Sequence, residues 1–220
     1  LSFIFLGIPM YYLLELYFNP RAVRKTHNLL AYLNLITEGF SLPKSIRREI
    51  IRILGEVKGK KVLEYGCAVG TMTLPIADKV GKNGKVFATD ISEKDIEIVN
   101  KRMVEYGHKH VHAIHDKQHH QRLHPKIPKF DHAVSIGVLG HLHNVTAILK
   151  QINKRMSSRG TIIFVDYDKF LDVIPNQAWL ESDKQINNIF HKAGFNVEIK
   201  RKQGFAWTYI FIVGKKVRNA

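Results

Sequence analysis

A single cysteine, Cys67, among 220 residues leaves no partner for an intramolecular disulfide. That excludes a disulfide-stapled scaffold and suits a reducing compartment. Cys67 lies inside a glycine turn with no His–Asp pair arranged beside it, so packing or backbone contact is its expected role rather than nucleophilic chemistry. Acidic residues are also scarce, 19 Asp+Glu against 34 Lys+Arg, for a net charge of +15. Such a field favours an anionic partner, either nucleic acid or an anionic membrane surface. No basic run is dense enough to name a nucleic-acid arm, because the cations are scattered among Arg21/Arg24/Lys25, Arg47/Arg48/Arg52, Lys58/Lys60/Lys61, Lys200/Arg201/Lys202 and Lys215/Lys216/Arg218. The many histidines between His108 and His143 have neither paired cysteines nor a clear acid set, so no metal site is expected. Their protonation below pH ~6.5 adds to the positive field. No internal repeat is present.

What is there begins with an apolar stretch. "LSFIFLGIPMYYLLELYF", residues 1–18, is interrupted only by Ser2, Gly7, Pro9 and Glu15, and Asn19-Pro20 and the basic Arg21, Arg24 and Lys25 follow at once. A spanning helix needs about 20 apolar residues, so the stretch is short by a turn or carries a kink at Pro9. It reads as a membrane span or interfacial anchor, or as a greasy helix docked on the domain or on a dimer partner. A signal peptide would put its charge ahead of the apolar run. Basic residues after it predict that the rest of the chain stays cytoplasmic, on the membrane face or free.

Residues 21–38 and 42–54 read as helices, the first ended by Gly39 and the second with Pro43 in its first turn. Short β-branched runs then appear at 60–65, 85–90, 110–114, 131–136 and 160–166, with helical patterns at 70–80, 92–106 and 145–157. That alternation predicts an α/β fold with a parallel sheet covered on both faces. A helix at 179–193 precedes "FNVEIKRKQ" and "FAWTYIFIVG", two strands joined at Gly204 as an antiparallel hairpin. The expected organisation is a docking segment over 1–18, a helical lead-in or substrate cap over 19–57, and one α/β domain over 58–220.

The first strand-to-helix turn, Glu64-Tyr65-Gly66-Cys67-Ala68-Val69-Gly70, raises the question of its ligand. A phosphate-cradling ATP loop needs Gly-Lys-Ser/Thr, and Gly70-Thr71-Met72 supplies no lysine. The dinucleotide fingerprint carries no acid ahead of its first glycine, where this chain has Glu64. A carboxyl there faces the cationic end of a ligand. Asp90 ends the second strand 20 residues beyond Gly70, where a carboxylate can accept both ribose hydroxyls. Asp116 sits just past the third strand, within reach of an adenine amino group. "FDHAVSIGVLGHL" runs an apolar strand into a loop with Gly137 and His141.

These residues together resemble the class I S-adenosylmethionine-dependent methyltransferases over residues 58–214. Glu64-x-Gly66-x-x-x-Gly70 looks like the family's first motif, Asp90 like its ribose-binding acid and Asp116 like its adenine-proximal acid. The family usually has glycine where Ala68 stands. The resemblance implies a Rossmann-like, doubly wound seven-stranded sheet with a C-terminal hairpin, preceded here by N-terminal helices. It implies S-adenosylmethionine as cofactor, held by Glu64, Tyr65, Gly66, Cys67, Gly70, Asp90, Ile91, Asp116, Lys117 and Gly137. His141 is then a candidate base or orienter, and Asp166 and Tyr167 at the end of the fifth strand point toward the usual acceptor mouth, where they neutralise a cationic amine or merely close the sheet end. The Asn/Asp-Pro-Pro-Tyr tetrapeptide that holds planar amines in base and glutamine methylation is replaced by "IGVLGHL". The lead-in also resembles that of bacterial phospholipid N-methyltransferases. A lipid or amphiphilic small-molecule acceptor is therefore the expectation, with an anionic membrane surface as partner. A protein or RNA acceptor, or a non-catalytic cofactor-binding role, is the alternative.

Overall fold

The computed structural model describes residues 20–171, 174–175 and 178–217. The apolar segment 1–18 lies outside the described residues. Two helices lead in, α1 (Pro20–Ser41) and α2 (Lys44–Leu54). The alternating region follows as β1 (Lys61–Tyr65), α3 (Thr73–Val80), β2 (Lys85–Asp90), α4 (Glu93–Glu105), β3 (Val111–His115), β4 (His132–Ile136), α5 (Val145–Arg155) and β5 (Thr161–Phe170). The chain closes with β6 (Ile174–Pro175), α6 (Asp183–Lys192), β7 (Phe195–Gln203) and β8 (Trp207–Lys216).

The strands order as β3-β2-β1-β4-β5-β8-β7, parallel from β3 through β5 and antiparallel in the last two, with the short β6 pairing on β5. This is the expected Rossmann-like sheet with its terminal hairpin; the two-residue β6 is an addition. Order reverses beside β1, which opens a crevice at the carboxyl ends of β1 and β4, where ligands bind in such sheets.

The period-two alternation of β1 splits the core. Val62 faces Ile46, Ile50 and Leu54 of α2 and Ile76 and Val80 of α3, whereas Leu63 faces Ile148, Leu149 and Ile152 of α5 and Ile186 and Phe190 of α6. Burying each such side chain is worth about 1.5–3 kcal/mol, so both faces of the sheet are held shut by apolar contact.

Three expected boundaries move. Gly39 does not end α1: it is exposed, nothing lies within 4 Å of a Cβ placed there, and the helix runs on until the Leu42-Pro43 step. Proline restricts the residue before it and cannot continue the ladder, which stops a helix more firmly than one glycine does. The helix expected from residue 70 starts at Thr73, because Gly70 closes the preceding turn with its N–H on the Cys67 carbonyl at 2.9 Å. The helix expected from 179 is a 3-10 turn over Ala178–Glu181, and α6 begins at Asp183 with Ser182 accepting from the Gln185 N–H.

Candidate cofactor cleft and acceptor mouth

The site is built where β1, β2, β3 and β4 end. The Gly66 and Cys67 N–H groups both donate to the Thr89 carbonyl at 2.9 Å, folding the turn back over β2. Gly66 has φ +83°, and a Cβ there would meet Val138 Cγ2 at 2.2 Å. Only glycine fits both the conformation and the space. Ala68 is also left-handed, at φ 44°. Its N–H donates to Asp90 Oδ2 at 2.8 Å, and Asp90 Oδ1 accepts from the Ser92 N–H at 3.0 Å. Burial pushes the Asp90 carboxyl up, against the pull of those amides. Each oxygen has used one of its acceptor positions and keeps another.

Glu64 is buried beneath the turn, with Oε2 accepting from the Thr73 hydroxyl at 2.6 Å. Burial, with the Asp90 charge adding to it, pushes Glu64 up to about 8 despite that hydrogen bond. Asp116 joins the group through its N–H on the Asp90 carbonyl at 2.8 Å. Its Oδ1 accepts from the Gln118 N–H at 3.0 Å, whereas Oδ2 is buried without a hydrogen-bond partner. Tyr65 is fully buried, its hydroxyl donating to the His119 carbonyl and its ring stacked on that imidazole at 3.9 Å. This pins the loop after β3 to β1. Ile91 is half-buried, its carbonyl meeting His115 Nε2 at 3.0 Å, and Lys117 stands exposed at the rim. Burial raises the Cys67 thiol well above its ordinary range, so it stays protonated, like the packing residue it was expected to be.

The opposite wall is different in kind. His141 ends the 3-10 turn Leu139–His141, and burial, with a further push from His120, lowers its pKa. The Asp90 charge acts on it in the other direction, which places the imidazole within electrostatic reach of the cofactor side. His120 and His143 stack with rings 6.0 Å apart. Asp166, like Asp90, takes one backbone amide on each oxygen: Oδ2 accepts from the Leu139 N–H at 2.9 Å and Oδ1 from the Tyr167 N–H at 2.8 Å. Burial pushes it up to about 6. It shapes the turn that carries His141. The Tyr167 ring lies against the Gly137 backbone, with Tyr209 and Trp207 beside it at 5.6 and 5.1 Å. The Tyr167 and Tyr209 hydroxyls both donate to the Ser41 carbonyl, at 3.2 and 3.1 Å, fastening the end of α1 over the mouth.

Several of these residues gave no signal in the sequence. Glu38 of α1 accepts from the Thr71 hydroxyl at 2.7 Å and from Arg102 of α4 at 2.8 Å, while Arg102 also donates to the Val69 carbonyl at 2.9 Å. Burial alone would raise the Glu38 carboxyl, but the bonds from Arg102 and Thr71 outweigh it and hold it low. The lead-in helix is thus tied to the glycine turn by a partly buried ion pair whose members lie 64 residues apart. Among the described residues no group of three or more His, Cys, Asp or Glu side chains is arranged to hold a metal ion.

The cleft fits a ligand that carries a cationic amino-acid end, a ribose and an adenine. Glu64 suits the first, the free acceptor positions of Asp90 the second, and the orphaned Asp116 Oδ2 would be satisfied by an amino donor, relieving a cost of about 1–3 kcal/mol. Fold and turn thus define a Rossmann-like methyltransferase domain. A family described as "Methyltransferase domain" matches residues 41–200, and the chain belongs to it, within the class I S-adenosylmethionine-dependent methyltransferases. The cofactor is S-adenosylmethionine.

Demethylmenaquinone methyltransferase of Bacillus mycoides is 26% identical over 154 residues, covering 70% of this chain and 64% of that protein. The chain therefore spans under two thirds of that relative's length. Its counterpart in Lactococcus lactis is 23% identical over 190 residues, 72% of this chain and 74% of that one. Among solved structures, a SAM-dependent methyltransferase from Aquifex aeolicus aligns with a TM-score of 0.64 at 16% identity, over 90% of this chain and 99% of that one. A magnesium protoporphyrin IX methyltransferase from Synechocystis with bound SAH aligns at 0.62 and 18%, over 78% and 82%. At such identities these two structures speak for the fold.

Proposed function

We propose that the chain transfers a methyl group from S-adenosylmethionine to a small lipophilic acceptor bearing a flat ring, at the cytoplasmic face of a membrane. The observation that carries this reading is the aromatic cluster of Tyr167, Trp207 and Tyr209, with the Tyr167 ring beside Gly137 and the Tyr167 and Tyr209 hydroxyls holding the end of a helix whose outer surface is apolar. The half-buried Tyr167 ring beside the Gly137 backbone offers an acceptor ring a flat surface to stack on. The demethylmenaquinone methyltransferase relatives support an acceptor of this class.

When bound, the cofactor supplies a methyl group already activated by its sulfonium, so the protein contributes alignment and exclusion of water. Gly66 and Gly70 let the turn approach that group closely. Glu64, Asp90 and Asp116 hold its amino-acid, ribose and adenine parts. His141, kept neutral near pH 7 by burial, accepts the proton of an acceptor hydroxyl or activated carbon as the new bond to methyl forms. Asp166 sets the turn that aims this imidazole, and Tyr167 orients the acceptor ring.

Radiolabelled methyl transfer tests the reading, with a short-chain demethylnaphthoquinol, a phosphatidylethanolamine dispersion, RNA and a protein extract as parallel acceptors. Transfer to the quinol, reduced in His141→Gln, is expected. Transfer confined to RNA or protein would overturn it in favour of an acceptor held by the basic surface. Transfer to none, with S-adenosylmethionine bound, would make the chain a non-catalytic binding partner.

A further inference from the structure

We infer that the outward face of α1 and the β7–β8 turn together form a docking surface for an anionic lipid bilayer. Leu29, Tyr32, Ile36 and Phe40 recur at helical spacing and are all exposed, Ile36 at 80%. The opposite face of the same helix carries Ala31, which is buried, and Glu38, which binds Arg102 and Thr71. Apart from Tyr32, whose ring lies under Lys94 of α4 at 5.6 Å, the stripe therefore points away from the domain. It continues off the helix. Phe205 in the β7–β8 turn is 89% exposed and its ring meets Phe40 edge-on at 6.5 Å. Leu171, 58% exposed, is drawn to the same turn by its N–H on the Ala206 carbonyl at 2.9 Å. Single exposed apolar residues are ordinary, but a contiguous patch with a polar rim marks an interaction site.

The rim selects the occupant. Lys44 and Arg48 of α2 are exposed just beyond the end of α1, and Lys200 and Lys202 of β7 act on Glu49 of α2, so strand and helix carry their cations side by side. Among the described residues none of Lys44, Arg48 and Lys202 is held in an ion pair. An apolar strip bordered by free cations suits a headgroup layer of negative charge over an acyl interior. A second copy meeting this one across a two-fold axis would set the same cations against each other, which disfavours a dimer at a net charge of +15. In sequence, the apolar residues 1–18 run directly into α1. Because Ser41 at the end of α1 is fastened to Tyr167 and Tyr209, a bilayer on this face would meet the acceptor mouth, and the docking presumes the lipophilic acceptor proposed above.

Phe205→Cys and Ile36→Cys variants of the full chain, each labelled with a polarity-sensitive fluorophore, test this, since Cys67 is buried. Lys150→Cys on α5, across the sheet from α2, is the control. With phosphatidylglycerol vesicles, labels at 205 and 36 should shift to the blue and lose access to iodide, while the label at 150 does not change. Phosphatidylcholine vesicles or raised salt should weaken the shift. No shift at 205 and 36, whether or not the protein floats with vesicles, overturns the surface. A vesicle-independent shift that grows with protein concentration overturns it in favour of a second copy. Methyl transfer to a water-soluble short-chain quinol reads the acceptor proposal separately, because that assay needs no bilayer.

Discussion

The two walls of the cleft solve different problems with the same few residue types. On the β1–β3 side, Glu64, Asp90 and Asp116 are carboxyls with acceptor positions to spare, and burial together with the Asp90 charge pushes Glu64 up. On the β4–β5 side, Asp166 accepts the amides that shape the turn carrying His141, and its neighbours are the clustered rings of Tyr167, Trp207 and Tyr209. A buried acceptor such as Asp116 Oδ2 costs free energy unless a ligand completes it, which supports the reading of the first wall as shaped around one molecule. A surface of rings asks for flatness and low polarity and leaves the acceptor's identity broad.

If the first wall is shaped to one ligand, its backbone should tolerate least. Gly66→Ala is expected to have the largest effect, costing roughly 2–5 kcal/mol through the left-handed backbone and the contact with Val138. A lowered denaturant midpoint and lost S-adenosylmethionine binding by calorimetry would show it. A variant that binds normally would break the comparison at its strongest point.

The next effect lies in protons. Glu64, ordinarily at 4.5, sits near 8 in the folded protein, so at pH 7 it is protonated. Its contribution to stability is full below pH 4.5 and lost as pH rises through 8. A ligand ammonium selects the ionised form, so binding should release a proton and affinity should rise with pH up to about 8. Calorimetry at pH 7 in buffers of differing ionisation enthalpy measures that release directly. Glu64→Gln should abolish it and weaken binding by about 1.5–3 kcal/mol; proton release that survives the substitution would assign it to another group.

How much of this was legible beforehand follows from distance along the chain. The cofactor turn could be read because its chemistry is local: an acid, small residues and two glycines within seven positions, then acids at strand ends whose spacing the βα repeat sets. The sheet and its hairpin could be read from the change of period. Glu38 with Arg102, and Ser41 with Tyr167 and Tyr209, could not, because each joins residues tens to more than a hundred positions apart through one polar contact. Neither leaves a pattern in a single sequence. Asp166 was legible as a residue near the mouth but not as one occupied by the Leu139 amide, since nothing in its neighbourhood specifies where a loop amide will land.

The acceptor wall should respond more weakly and in a different quantity. Tyr167→Phe leaves the Tyr209 hydroxyl on Ser41, so it should cost about 1 kcal/mol or less. The double variant Tyr167→Phe/Tyr209→Phe removes both hydroxyls from the Ser41 carbonyl, leaving the end of α1 held by Glu38 alone among these polar contacts. It should raise KM for the acceptor while leaving S-adenosylmethionine affinity within about twofold, roughly 0.4 kcal/mol. An equal loss on both substrates would mean that the walls are mechanically one.

The smallest effect should be a gain. Ala68 holds φ 44°, a conformation that costs an L-residue about 1–2 kcal/mol, and it does so to aim its N–H at Asp90. Glycine adopts that backbone freely but is less ordered when unfolded, which returns about 0.4–1 kcal/mol. Ala68→Gly should therefore stabilise the fold by under about 1 kcal/mol, seen as a slightly higher denaturant midpoint, with cofactor affinity nearly unchanged because the amide donor remains. A loss of stability would mean that the alanine methyl earns its place by packing, and that even the cofactor wall is tuned by contact as well as by hydrogen bonds.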